Sequence, residues 1–162
     1  MGDPSLSDRL AKLPGLDHVT PALRRHWEKM AGPRPSALER ELQSGFGALA
    51  LAADQAEVPL LAGTDLGDPY VVPGFALHDE LQLLVDAGVS TLHALRSATL
   101  EPARALGLAD EVGSIQPGKV ADLVILDADP LTDIRNTRRI RAVVFDGRWL
   151  DAQALTRLNE PK

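Results

Sequence analysis

Hydrophobic and polar positions divide the chain into a helical part and a shorter β part that meet near residue 110. Before that point apolar residues recur every three or four positions, which predicts amphipathic helices. Caps, prolines and glycines mark where these helices begin and end. Five helices are predicted. They run from Pro21 to about Met30, from Ser36 to about Ala56, from the end of the Leu66–Gly74 loop to Gly88, from Thr91 to Ala98, and from Thr99 to Gly107.

Beyond residue 110 the pattern becomes typical of strands. The β-rich runs Val120–Leu126 and Ile140–Phe145 each predict a strand. Pro117–Gly118 suits the central positions of a type II turn. Asp146–Gly147 is a strong hairpin signal and predicts a returning strand through Arg148–Leu150.

One apolar run, Val58–Ala62, lies between two helical patterns. It predicts a short strand buried on both faces, as in parallel sheets. Asp65 follows directly, at the position where catalytic side chains collect in α/β sheets and barrels. The alternative is that Asp65 is a turn former or a helix cap.

Composition narrows the classes of protein that fit. The 162 residues are 44% hydrophobic and 25% charged, which suits one globular domain or two small ones. A net charge of -6 argues against a nucleic-acid partner, and the basic residues of 135–141 are interpreted as a solvated turn and strand edge. No apolar run approaches the roughly 18 residues of a membrane span, and no signal peptide is evident. A soluble, cytoplasmic protein without a membrane partner is therefore predicted.

Candidate chemistry from single residues is sparse. The absence of cysteine excludes thiolate metal sites and cysteine nucleophiles. The four histidines, at 18, 26, 78 and 93, form neither a His-x-His pair nor a His-Glu-x-x-His motif. His78–Glu80 superficially matches the His-x-Glu of nucleobase deaminases, but those enzymes need cysteine ligands. Taken singly, the residues support an α/β chain with one candidate carboxylate.

Four motifs taken together are more specific. They are Ala62–Asp65, Pro73–Val89, Ala98–Leu108 and Gly113–Val124. In their order and separation they resemble the C-terminal part of the amidohydrolase superfamily, most closely the imidazolonepropionase-related branch of metal-dependent hydrolases. The resemblance covers about residues 36–151.

The resemblance implies an α/β fold class: the C-terminal portion of a (β/α)8 TIM-like barrel, followed by a small β-sandwich segment. Val58–Ala62 would be the last barrel strand. Residues 1–110 would form the end of the barrel and the helices after it, and residues 111–155 the C-terminal part of the sandwich domain.

The same resemblance implies roles for two site residues. Asp65 would contact a divalent metal, expected to be zinc with one or two ions in the complete enzyme, and would act as the catalytic proton shuttle. His78 would bind substrate or brace the loop before it, the alternative being a structural histidine at the border of the core. Structural roles are expected for Gly63, Thr64, Glu80 and Lys119.

Departures from the family limit these expectations. Relatives supply a His-x-His pair from strand one, a Lys or Glu from strand four and histidines from strands five and six, and none of these can be placed on this chain. We therefore expect a C-terminal fragment that cleaves amide, cyclic amide or peptide C–N bonds only together with the rest of its barrel. By itself it is expected to bind metal weakly or not at all and to be inactive.

Two partners and one alternative function remain open at this stage. Besides a small-molecule or dipeptide-like substrate, the expected partner is the missing N-terminal barrel half or a further copy of the chain, because a lone fragment leaves strand edges unpaired. The alternative function is a non-catalytic interaction or scaffold module. An in-frame His-x-His encoded upstream of Met1 would favour the enzyme.

Overall fold

The computed structural model describes residues 13–30 and 37–158, with the backbone alone described for residues 37–44. Within these ranges the helical part precedes an antiparallel sheet. Its elements are a 3-10 helix at Leu16–His18, α1 at Pro21–Met30, α2 at Ala37–Gln55, α3 at Ala76–Asp86, α4 at Thr91–Ser97, α5 at Leu100–Ala105, β1 at Leu123–Leu126, a second 3-10 helix at Ile134–Arg138, β2 at Ile140–Phe145, β3 at Arg148–Asp151 and α6 at Ala152–Leu158.

The helical predictions are confirmed to within about two residues, because local signals set the helix ends. Ser90 caps α4, its hydroxyl accepting the His93 backbone N–H at 3.1 Å. Gly88, with φ of 106°, follows the end of α3 in the left-handed region that glycine favours. The predicted capping box at Ser36 lies outside the described residues.

The sheet has the order β1-β2-β3, and both strand pairs are antiparallel. Asp146 and Gly147, with φ of 49° and 73°, form the predicted tight turn between β2 and β3. β1 is shorter than predicted, because the Val120 N–H donates to the Glu111 carbonyl at 2.9 Å and not to a neighbouring strand. Gly118 has φ of +91°, as a type II turn requires.

The strand predicted at Val58–Ala62 is not formed. Val58 and Leu61 are each 54% exposed, so the prediction of burial on both faces is wrong. Backbone bonds hold the segment only at its ends, where the Val58 N–H donates to Ala53 and the Ala62 N–H to Ser97, each at 2.9 Å. A strand needs a hydrogen-bonded neighbour, and the described residues place none beside this segment.

Two apolar clusters form the described core. The first surrounds Trp27 and includes Leu16, Val19 and Val72. The second contains Leu81 of α3, Ala94 of α4 and Ile134, which is 2% exposed and belongs to the 3-10 helix between β1 and β2. The second cluster therefore crosses the division predicted at residue 110, and that division remains a prediction.

No helix in the part of the chain that the structure describes is both long and apolar enough to cross a membrane.

Candidate functional site

Asp65 lies where the Val58–Ala62 segment gives way to the loop before α3. Its φ is +50°, a left-handed conformation that Asp adopts more readily than most residues with a Cβ. The side chain is exposed, and its backbone carbonyl accepts the Asp68 N–H at 3.3 Å. Among the described residues no side-chain hydrogen bond or ion pair engages its carboxylate. The carboxylate is therefore open to a ligand.

Glu80 of α3 lies beside the turn just before Asp65, and its side chain is partly buried. Burial raises the pKa of Glu80, and the nearby Gly63 backbone N–H opposes that rise. The carboxylate at the border of α3 is therefore close to the backbone two residues before Asp65.

The Glu80→Gln substitution is expected to make the protein more stable at neutral pH. Because the folded state raises the pKa of Glu80, stability falls as pH rises from the ordinary value near 4.5 through the raised one. Glutamine retains an oxygen for the Gly63 N–H and removes the charge whose burial is unfavourable. Thermal unfolding from acid to neutral pH should show a higher midpoint at neutral pH and a weaker decline with pH.

The matched control is Glu111→Gln, since Glu111 is an exposed glutamate whose described hydrogen bonds are made by its backbone N–H and carbonyl. This variant should keep the pH dependence of the unmodified protein. A Glu80→Gln protein that is less stable than the unmodified one at neutral pH would contradict the assignment.

His78 lies in the first turn of α3, at the other end of the loop that begins at Asp65. Its Nδ1 is 3.0 Å from the Thr137 hydroxyl oxygen. Burial lowers the pKa of His78, the positive charge of Arg138 lowers it further, and Asp79 opposes both. The neutral form of this imidazole is consequently more populated at physiological pH than that of an exposed histidine.

An ion pair lies beside His78. Arg138 donates from Nη2 to the Asp79 carboxylate, which links the 3-10 helix after β1 to α3. Its other terminal nitrogen, Nη1, is buried and has no hydrogen-bond partner among the described residues. The interpretation of residues 135–141 as a solvated basic cluster is therefore wrong at Arg138, since only 29% of its side chain is exposed.

A cleft of about 280 Å³ lies at the beginning of the Val58–Ala62 segment, away from Asp65. Asp54 contacts His93 there, with 2.6 Å between Oδ1 and Nδ1. Glu101 lies between Arg104, at 3.0 Å, and Arg96, at 3.8 Å. Apart from the exposed Glu57, the charged groups of this cleft are paired with one another, as in a structural network.

A protein metal site needs several ligating side chains close together. In the described part of the chain no group of three His, Asp or Glu side chains could hold a metal ion. Zinc in proteins takes three or four protein ligands, and Asp65 offers one. The described residues therefore do not fit a complete metal site.

The structure joins the two predicted site residues only indirectly. Asp65 and His78 flank one loop, and Glu80 of α3 lies close to the Gly63 backbone at the start of that loop. Sequence reasoning missed Thr137 and Arg138, which lie 59 residues beyond the α3 side chains that they contact. No local pattern could have indicated those pairs.

Most of the chain matches the sequence model of a protein family. The model of the amidohydrolase family matches residues 8–150.

Among curated proteins, the chain is 49% identical over 45 residues to 5-methylthioadenosine/S-adenosylhomocysteine deaminase of Symbiobacterium thermophilum, a match covering 27% of the chain and 10% of that protein. It is 49% identical over 41 residues to imidazolonepropionase of Picrophilus torridus, covering 25% of the chain and 10% of that protein. These matches span about a tenth of the relatives' length.

Among solved structures, the bottromycin amidohydrolase superposes with a TM-score of 0.72 and 29% sequence identity. The superposition covers 93% of this chain and 35% of that one. The arrangement of described elements is therefore shared with about a third of a larger protein.

Proposed function

Because the chain belongs to the amidohydrolase family, we propose that it forms the end of a metal-dependent C–N hydrolase barrel and contributes Asp65 as a catalytic carboxylate. The family is one of TIM-barrel hydrolases, and an α/β chain with a small three-stranded sheet is consistent with part of such a protein. The proposal rests on one observation. Asp65 is exposed and has a left-handed backbone conformation just after the Val58–Ala62 segment.

The proposed role of Asp65 is proton transfer. A divalent ion, held by ligands from outside the described residues, would lower the pKa of a bound water towards about 7. Asp65 would take the proton of the attacking water and give a proton to the departing nitrogen. The exposed carboxylate is available for both proton transfers, since it has no competing hydrogen bond in the described part of the chain.

His78 is proposed to bind the substrate. Its lowered pKa keeps the ring neutral, so it can accept a hydrogen bond as well as donate one. A neutral imidazole at the end of the loop after Asp65 suits an amide or amine N–H next to the scissile bond. The substrate class proposed is accordingly an amide, a cyclic amide or a peptide.

A non-catalytic scaffold is the second candidate function. One observation favours it: in the residues that the structure describes, Asp65 belongs to no group of three or more metal-ligating side chains. A degenerate relative would keep the fold of this region without the chemistry.

The decisive experiment begins with the coding sequence around this chain. An in-frame or neighbouring segment encoding a His-x-His after a strand pattern would be produced together with residues 1–162. The assembled protein is expected to hydrolyse members of a panel of amides, cyclic amides and dipeptides, and a metal chelator should abolish the activity. An assembled protein that binds metal and hydrolyses none of them would favour the scaffold.

The chain by itself is expected to self-associate or to bind a complementing chain. A cleft of about 530 Å³ between α2 and α3 is lined mainly by apolar residues, with Glu80 as its charged member, and Phe46 and Leu83 are 65% and 64% exposed. The Val58–Ala62 segment adds further apolar surface, and between its two ends no backbone bond to another described residue is formed. Size-exclusion chromatography with light scattering should show oligomers, and a compact monomer at high concentration would contradict this.

Metal binding by the chain alone is expected to be weak and substoichiometric. Asp65 supplies one ligand, and one carboxylate cannot compete with water for a zinc ion as a three- or four-ligand site does. Elemental analysis and zinc titration of the purified 162-residue chain measure this directly. One tightly bound zinc per chain would show that His78, Glu80 or residues outside the described ranges complete a site.

A further inference from the structure

We propose that Thr137 is a positioning residue that fixes His78 as the tautomer protonated at Nδ1, leaving Nε2 as a hydrogen-bond acceptor. The inference deepens the proposed function, since it specifies how His78 would recognise a substrate. The tautomer itself does not depend on that function.

The direction of two hydrogen bonds determines the tautomer. The Thr137 hydroxyl lies 2.8 Å from the Ile134 carbonyl oxygen, which can only accept. The single hydroxyl hydrogen is therefore used in that bond. The Thr137 oxygen can then only accept from the His78 Nδ1, 3.0 Å away, so Nδ1 carries the proton.

Thr137 is held in place by the core. It is 7% exposed, and Ile134, whose carbonyl it contacts, is 2% exposed within the cluster that contains Leu81 of α3. The 3-10 helix and α3, which carry the two members of the imidazole contact, are thus packed against each other. A buried hydroxyl with one fixed acceptor has little freedom to reverse its role.

The charges around the ring favour the neutral form. Arg138 follows Thr137 directly and lies close enough to disfavour protonation of His78. Asp79 favours protonation, but its carboxylate is already paired with Arg138. In the neutral ring with Nδ1 protonated, Nε2 keeps its lone pair, and no described group donates to it.

This arrangement resembles the way metalloproteins and hydrolases fix an imidazole, with one ring nitrogen bound to the protein and the other left for a ligand. An Nε2 lone pair accepts from N–H or O–H groups. It therefore favours substrates that keep a hydrogen on the nitrogen of the scissile bond over those in which that nitrogen is fully substituted.

The test uses nuclear magnetic resonance of the full chain labelled with ¹⁵N-histidine, at a pH above the ordinary histidine pKa. Long-range ¹H–¹⁵N correlations distinguish the two neutral tautomers, and a His78→Gln sample identifies the His78 signals. The expected result is an Nδ1-protonated ring in the unmodified chain. An Nε2-protonated ring would overturn the proposal without any variant being made.

Two variants separate positioning from packing. Thr137→Ser keeps the hydroxyl and should keep the Nδ1-protonated tautomer, whereas Thr137→Val keeps the shape and should shift His78 towards protonation at Nε2. A Thr137→Val chain that keeps the Nδ1 tautomer would overturn the role of Thr137. Because no metal or substrate is present, this result stands whether or not the assembled protein proves to be a hydrolase.

Discussion

Replacing Asp65 by asparagine is expected to lower kcat/KM of the assembled hydrolase by about 10²–10⁴-fold, the usual contribution of a positioned acid or base. Asparagine has nearly the same size and tolerates the φ of +50° found at this position. It cannot take up or release a proton, so the fold should persist while proton transfer fails. Steady-state hydrolysis by the protein assembled with its complementing segment gives the measurement.

Asp68→Asn is the matched control, because Asp68 is an exposed aspartate in the same loop. It should reduce activity by less than a few-fold. Equal losses in the two variants would indicate that loop charge matters more than a proton transfer at Asp65. Full activity in Asp65→Asn would remove Asp65 from the catalytic machinery.

The largest effect on stability is expected from Gly113→Ala. Gly113 has φ of +88°, and a Cβ there would lie 2.7 Å from the Ala103 Cβ and 3.0 Å from the Thr99 carbonyl oxygen. The Thr99 carbonyl and the Ala103 Cβ belong to the same helical segment and cannot move aside independently. The whole of α5 would therefore have to shift. The left-handed conformation costs about 1–2 kcal/mol, and the overpacking adds about 1–3 kcal/mol.

Gly118→Ala isolates the conformational part of that cost. Gly118 has nearly the same φ, +91°, but apart from its chain neighbours no heavy atom of the described residues lies within 4 Å of the Cβ position. Denaturant unfolding should therefore show a loss of about 1–2 kcal/mol for Gly118→Ala, from conformation alone. The loss for Gly113→Ala should be clearly larger, and equal losses would mean that the packing around Gly113 adapts freely.

Local sequence signals account for what could be predicted of the fold. Ser90, Gly88 and the Asp146–Gly147 pair act through neighbours a few residues away, and the helix ends and the hairpin follow from them. The Val58–Ala62 segment behaves differently, because a strand is defined by hydrogen bonds to another segment. Its apolar composition indicates burial against a partner, yet in the described residues it remains an exposed extended segment.

One part of the candidate site could be predicted from local sequence, and another part could not. Asp65 could be identified from its place after an apolar run, and the resemblance to a family suggested its chemistry. The partners of α3 could not, because Thr137 and Arg138 reach His78 and Asp79 across 59 residues of sequence. The interpretation of Arg138 as a solvated cation failed for that reason.

Ile134 gives the 3-10 helix between β1 and β2 a thermodynamic role beyond its own stability. Its side chain fills a core shared with α3 and α4, while its carbonyl anchors Thr137. Local opening of this 3-10 helix would therefore expose Leu81 and Ala94 as well, so its free energy of opening includes part of the helical core. We accordingly expect amide exchange in the 3-10 helix to be coupled to exchange in α3, the helix that carries His78.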